Sequence, residues 1–282
     1  MSDAGFTLAD ARVSIIGLGL MGGSLAMALR GQCATLYGAD PDRATRDLAQ
    51  SKGIVDVISA DPANLPPADV LVLAAPVRTI LALLATLPKW HSAPALVVDV
   101  GSTKSAITAI MDTLPPQYDP VGGHPMCGKE VGSLANADPL LYQGAPFAFT
   151  LLPRSTLRAR QMAVKLATAV RAQPLWLDPQ THDRWVAATS HAPYLIANAL
   201  AAATPVEVSP MVGPGFRSTT RVASTTPQVM LDILATNREL ILEALSHFRA
   251  RLDALEADLR ADNEHTLQKK LRQGAIRRRH LA

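Results

Sequence analysis

Cysteine is nearly absent from this chain of 282 residues: there are two, Cys33 and Cys127. A pair cannot build a disulfide framework for a chain this long, and no metal-ligand spacing surrounds either one. A reducing compartment fits, and no metal site is expected. Long hydrophobic runs are also missing; no stretch approaches the roughly 20 apolar residues that span a bilayer. The N-terminus lacks a basic start followed by an apolar run, so no signal peptide is expected and the location is read as cytoplasmic. Aromatic residues are only 4% and charged residues 18%. The core must therefore be built from Ala, Leu, Val and Ile. The net charge is +3, and much of the basic excess sits in Arg277, Arg278 and Arg279. Such a tail could touch nucleic acid, but a solvated helix end is the plainer reading. No basic stripe with interleaved aromatics appears elsewhere, so neither nucleic acid nor membrane is expected as a partner.

What the chain does have is apolar residues, 48% of the total. Its length suggests two domains. Short β-branched runs alternate with helical segments in the first half. Residues 12–17, 35–40, 69–75, 95–100 and 119–121 read as strands, and residues 147–152 and 174–178 as later ones flanking a helix over 158–171. A helix is expected over residues 22–30, and Pro41 is expected to open another, where its missing N–H costs nothing. Strands apolar on both faces and separated by helices indicate a doubly wound, mostly parallel α/β sheet of Rossmann type. After Asp178 the pattern becomes helical: an Ala-rich run over 180–203, a Pro/Gly-rich loop over 204–216, a long helix over 227–260 and a final charged helix. The expected division is residues 1–178 as a dinucleotide-binding domain and 179–282 as an all-helical substrate and dimerisation domain.

The first strand runs into VSIIGLGLMGGS, with Gly17, Gly19 and Gly22 in G-x-G-x-x-G spacing. Gly17 permits the tight turn, Gly19 lets the backbone approach a pyrophosphate, and Gly22 lets the helix pack on the sheet. Leu20 and Met21 lie between the last two glycines, where free N–H groups and the helix dipole favour phosphate. Asp40, at the end of the next strand, is placed to accept hydrogen bonds from ribose hydroxyls, which favours NAD; Arg43 nearby leaves NADP open. Asp40 could equally cap the helix after Pro41.

In an open parallel sheet, ligands bind outside the carboxyl ends of the strands. Pro76 follows the strand over 69–75, and Gly101-Ser102-Thr103-Lys104 follows the one over 95–100. Beyond the short strand at 119–121 lies Gly123-His124-Pro125-Met126, read as a Gly-rich loop. A histidine there can take a hydroxyl proton as hydride leaves the same carbon; a chance loop histidine is the competing reading. Ser102 is read as orienting that histidine or contacting the nicotinamide, or else as a plain N-cap. Lys104 is read as a possible base or, more plainly, as a first-turn surface residue. His182 and Asp183 fall near a helix start, which they could merely cap. His191 lies in an Ala-rich, buried stretch, as a site residue or a satisfied core histidine. Arg217 and Arg221, in the segment GFRSTTR, suit bidentate recognition of a carboxylate or a surface ion pair.

Taken in order, GLGLMGGS, DVGSTK, GGHPMCG, HDRWVAATSHAP and GFRSTTR resemble prephenate and arogenate dehydrogenases, over about residues 12–260. The resemblance implies oxidative decarboxylation of a cyclohexadienyl acid in tyrosine biosynthesis; the substrate is read as prephenate, with arogenate as the alternative. It implies a Rossmann domain followed by a helical domain that forms a homodimer. It casts His124 as the catalytic histidine and Ser102 as its partner near the nicotinamide. Arg221 becomes the residue that holds the ring carboxylate, Ser190 and His191 belong to the substrate pocket, and Glu130 stands at its entrance. This chain departs from the pattern at Ala192 and Tyr194, where the family often writes SHLPH, and at Ser218, where it often has Asp. Two more distant readings remain. A β-hydroxyacid dehydrogenase or imine reductase often needs a lysine in the first helix of the second domain, and this helix has none. A nucleotide-sensing regulator would need no residue like His124, and usually a DNA- or membrane-contacting module.

Overall fold

The computed structural model describes residues 7–281. Eight strands form one sheet: β1 (Arg12–Ile16), β2 (Thr35–Ala39), β3 (Val57–Ser59), β4 (Val70–Leu73), β5 (Ala95–Asp99), β6 (Tyr118–Pro125), β7 (Pro146–Leu151) and β8 (Gln173–Trp176). Their order is β3-β2-β1-β4-β5-β6-β7-β8. The first six are parallel, β7 runs antiparallel to β6, and β8 is parallel to β7. The helices among them are α1 (Leu20–Leu29), α2 (Arg43–Ser51), α3 (Val77–Trp90), α4 (Ser105–Asp112) and α5 (Leu157–Ala169). The order reverses at β1 and β4, the switch point where such sheets take dinucleotides.

Alternate side chains of each central strand enter opposite layers. Val70 and Val72 of β4 join a core with Leu25, Leu29, Met162 and Leu166 of α1 and α5. Leu71 and Leu73 join the other core, with Ile80, Leu84, Ile107 and Met111 of α3 and α4. Helices on both faces explain why these strands read as unbroken apolar runs. The core is mostly aliphatic, with scattered tyrosines such as Tyr37 and Tyr118 and an aromatic cluster at β7, where Phe147 and Phe149 stack with ring centroids 4.4 Å apart.

After β8 the elements are α6 (Pro179–Val186), one π-helical turn (Ala187–His191), α7 (Ala192–Ala203), α8 (Pro214–Thr220), α9 (Pro227–Thr236), α10 (Arg238–Arg260) and α11 (Glu264–His280). The chain forms two compact units, which meet between Asn237 and Arg238 in sequence. The first contains the sheet together with α6–α9. The second is the α10–α11 pair, joined by Lys270 Nζ to Asp258 Oδ2 at 2.7 Å. Among the described residues no helix is long and apolar enough to cross a membrane.

Several local expectations change. The strand β3 lacks a distinct apolar signature and was not foreseen. Pro41 does not open α2: the helix starts at Arg43, and Asp42 caps it by accepting the N–H of Thr45 at 2.9 Å. Asp40 is therefore not the cap. The segment 204–216 is not bare loop, since it holds a 3-10 turn over Val206–Met211 and the start of α8. The long helix over 227–260 is broken at Asn237.

Candidate active site

The turn after β1 has the geometry that its glycines foretell. Gly17 has φ +96°, and a Cβ there would run into the Ala74 carbonyl oxygen. A Cβ on Gly22 would collide with the Gly17 carbonyl oxygen, so the first turn of α1 can lie this close to the strand only without a side chain. Gly19 differs: nothing lies within 4 Å of where its Cβ would be. It is the N-cap of α1 and carries no side-chain cap, which leaves the Leu20 and Met21 end of the helix open to an anion. Asp40 Oδ2 accepts the Leu18 N–H at 2.8 Å, and Oδ1 accepts the Asp42 N–H at 2.9 Å. Each oxygen keeps a lone pair for a ribose hydroxyl. The basic residues nearby are otherwise engaged: Arg46 Nη1 donates to the carbonyls of Asp40 and Pro41, and Arg43 pairs with Asp47 at 3.6 Å. Pro76 is exposed just past β4, on the same edge of the sheet.

His124 stands on that edge too, but not in a loop. The strand β6 continues through Pro125 because β7 supplies its pairing partners, His124 lying opposite Ala148. The residue before it is clamped. Gly123 N–H donates to Asp99 Oδ1 at 3.0 Å, and the Gly123 carbonyl accepts from Lys104 Nζ at 2.6 Å. Lys104 also forms a salt bridge with Asp99, and both side chains are fully buried. Lys104 is thus no surface residue. Burial lowers its pKa, while the Asp99 charge opposes that shift. Asp99 was not singled out from the sequence, because an acid at the end of an apolar strand gives no sign of which distant cation will meet it.

The sequence reading also misjudged His182 and Asp183. The cap of α6 is Asp178, which accepts the Thr181 N–H at 2.9 Å. Asp183 instead reaches α4: Oδ1 accepts the Lys104 N–H at 2.7 Å and Oδ2 the Ser105 N–H at 2.8 Å. It thereby satisfies the N-terminus of α4, so Ser102 is not the cap. Burial pushes the Asp183 carboxyl upward, but hydrogen bonds from His182, Ser105 and Lys104 outweigh it and hold the pKa below the usual range. His182 Nδ1 donates to Asp183 Oδ1 at 2.8 Å, and His182 Nε2 lies 2.9 Å from His124 Nδ1. His182 and Asp183 are both buried. His124 is half-buried, and among the described residues its Nε2 makes no hydrogen bond. Burial, followed by the neighbouring His182, Lys104 and His191, drives its pKa well below the ordinary histidine value.

His191 is buried in the π turn, and Asn237 Nδ2 approaches its Nδ1 at 3.2 Å. The same amide donates to the Asp183 carbonyl at 2.8 Å. Burial lowers the His191 pKa to about 4. It is both a satisfied core histidine and an electrostatic neighbour of His124. Arg221 forms an ion pair with Glu130, so two expected substrate residues meet each other. Ser190 and Arg217 are exposed, and Ser102 is half-buried, its hydroxyl without a hydrogen-bond partner among the described residues. None of these three is drawn into the chain of bonds behind His124.

The sequence matches two family models. "Prephenate dehydrogenase, nucleotide-binding domain" covers residues 25–172, and "Prephenate dehydrogenase, dimerization domain" covers 178–273. A prephenate dehydrogenase of Bacillus subtilis is 29% identical over 90% of this chain and 72% of its own length. The crystal structure of prephenate dehydrogenase from A. aeolicus, in complex with hydroxyphenyl propionate and NAD+, superposes with a TM-score of 0.89; it is 27% identical and covers 98% of this chain and 100% of its own. Synechocystis arogenate dehydrogenase gives a TM-score of 0.82 at 26% identity, over 96% of this chain and 100% of its own.

Proposed function

The chain belongs to the prephenate dehydrogenase family, and we propose that it converts prephenate to 4-hydroxyphenylpyruvate by NAD-dependent oxidative decarboxylation on the way to tyrosine. The observation that carries the reading is His124: half-buried on the cofactor edge of the sheet, with Nε2 unengaged and a pKa that keeps the ring neutral near pH 7.

Gly17, Gly19 and Gly22, the backbone at Leu20 and Met21, Asp40, Pro76 and Ser102 hold NAD. When bound, NAD supplies the hydride acceptor. NADP fits less well, since Arg43 and Arg46 near Asp40 already have partners. His124 Nε2 accepts the hydrogen bond of the ring hydroxyl. It relieves the positive charge that develops on this oxygen as hydride leaves the same carbon. The carboxylate on the opposite ring carbon departs as carbon dioxide, its bonding pair completes the aromatic ring, and the product keeps its hydroxyl. Arg221 orients that carboxylate without opposing its loss. His191 and Ser190 line the substrate side. The charge of Glu130 is already compensated by Arg221 and does not await an ammonium group. That favours the keto side chain of prephenate over the amino side chain of arogenate.

The division at residue 178 separates cofactor from substrate work: residues 1–178 carry the cofactor, and 179–282 complete the substrate pocket and pair with a second copy. The second unit supports pairing, since Leu252 and Leu259, two helical turns apart on α10, are exposed, as is Leu271 of α11. A solution mass near twice the 29.9 kDa of one chain is expected. Both cysteines are free, which suits the cytoplasm.

The test is to mix the purified protein with NAD or NADP, each with prephenate or arogenate, and follow reduced nicotinamide by absorbance. Fastest turnover with NAD and prephenate is expected. No turnover with any of the four pairs, from folded protein that still binds NAD, would remove the reading.

A further inference from the structure

Asp183 is an acceptor only: an ionised carboxylate that already takes the Lys104 and Ser105 N–H groups. The atom facing its Oδ1 at 2.8 Å is His182 Nδ1, so that nitrogen bears a proton. A neutral imidazole carries one proton, which leaves His182 Nε2 as an acceptor. The atom facing it at 2.9 Å is His124 Nδ1, which must then be the donor. The one proton of a neutral His124 is thus on Nδ1, and Nε2 holds a bare lone pair. Each bond in the series dictates the direction of the next.

The frame around this series is stiff. His182 and Asp183 are buried neighbours on α6, whose register is fixed to α4 by the two bonds from Asp183. His124 is held by its strand pairing and by the clamp on Gly123. The two imidazoles meet edge to face, 5.1 Å apart at 67°. Such geometry allows one hydrogen bond between the rings and no exchange of partners.

We propose that His182 is a positioning residue: backed by Asp183, it fixes the tautomer of His124 so that Nε2 is always the acceptor presented to the substrate hydroxyl. This rests on the assignment of His124 as the residue that meets that hydroxyl. The groups facing the pair are Asp183 on α6, Lys104 and Asp99 at the start of α4 and the end of β5, and His191 in the π turn. A cationic His182 would reverse the order: it would donate to His124 Nδ1 and leave His124 with a proton on Nε2, unable to accept.

Nitrogen-15 NMR of the wild-type protein with labelled histidine reads the tautomer directly, and it needs no variant to fold. A protonated Nδ1 and bare Nε2 on His124 at pH 7.5 are expected; a protonated Nε2 overturns the proposal. Kinetics provide the second arm. His182→Leu keeps bulk but offers no acceptor, and kcat should fall about tenfold or more, with KM within about twofold. His182→Gln places an amide oxygen near the lost Nε2 and should recover part of kcat. Adding His182→Leu to His124→Asn should cost nothing further, because the partner to be oriented is already gone. If His124→Asn loses turnover while His182→Leu keeps it, the positioning role is wrong and the role of His124 stands. If His124→Asn itself keeps full turnover, the reading of His124 fails first.

Discussion

Asp183 accepts the backbone N–H of Lys104 across 79 residues of sequence, at 2.7 Å. With the second bond, to Ser105, this one carboxylate stitches α6 onto the start of α4. Its other role is to receive His182, so a single side chain both docks the helices that follow the sheet and orients the group behind His124. Replacing it would disturb fold and chemistry together. The informative experiments therefore lie one step away from it, on residues that carry one role each.

His124→Asn should lower kcat by about a hundredfold or more, the usual cost of losing a hydrogen bond that strengthens in the transition state. In the wild type, the low pKa of His124 keeps the ring neutral below pH 6.5, so the acid limb that His124 sets in kcat/KM, which reports the free enzyme, should lie below that value. A limb centred at or above pH 6.5 would contradict this environment.

The same burial links stability to pH. His191 has a pKa of about 4 in the folded state and about 6.5 when unfolded. Between these values the unfolded chain binds more protons, so stability rises with pH through this window and is lost as pH falls from about 6.5 toward 4. His124 acts in the same direction. Denaturant midpoints at pH 7 and pH 5 should differ accordingly, and the difference should shrink in His191→Asn.

Arg221→Ala should raise KM for prephenate about tenfold or more, the scale of a lost charged hydrogen bond. It also strands the half-buried carboxylate of Glu130. The double replacement of Arg221 by Ala and Glu130 by Gln should not restore affinity. Recovery in the double variant would mean that Arg221 serves only to neutralise Glu130.

Gly19 and Gly22 should separate binding from folding. A Cβ at position 19 enters open space, so Gly19→Ala should keep the melting temperature while weakening NAD binding. A Cβ at position 22 strikes the Gly17 carbonyl, so Gly22→Ala should lower the melting temperature as well. Calorimetry with and without NAD distinguishes the two.

Lys104→Met leaves the fully buried carboxyl of Asp99 without its cation. Breaking such a pair costs about 3–5 kcal/mol, a fall in melting temperature on the order of 10 °C. A melting temperature unchanged in Lys104→Met would show that Asp99 tolerates burial alone.

Much of the fold can be read along the chain, because its signals are local. Strand β4 is a run of apolar residues buried on both faces, and no neighbour needs to be known to recognise it. The turn after β1 is equally local: a positive φ at Gly17 and the close packing at Gly22 are demands that only glycine meets. Asp40 follows from its position after a strand, His124 from its place in a Gly-rich segment at the carboxyl edge of the sheet, and Arg221 from its residue type and setting. All three could be named before any partner was known.

Contacts that join distant segments were another matter. Lys104 reads as a first-turn surface lysine until the Asp99 carboxylate and the Gly123 carbonyl close over it. His182 and Asp183 read as cap residues until α6 docks against α4. The strand β6 runs through His124 only because β7, from well beyond it in sequence, supplies the ladder. Helix propensity carries a continuous helix past Asn237, yet the chain breaks there, where the Asn237 amide is bonded to the Asp183 carbonyl and His191. Propensity, turn chemistry and apolar period are properties of neighbours in sequence, and these the sequence determined by itself. Burial of a charge, the direction of a hydrogen bond and the tautomer of a histidine depend on which atoms arrive from elsewhere, and those only the tertiary structure decided.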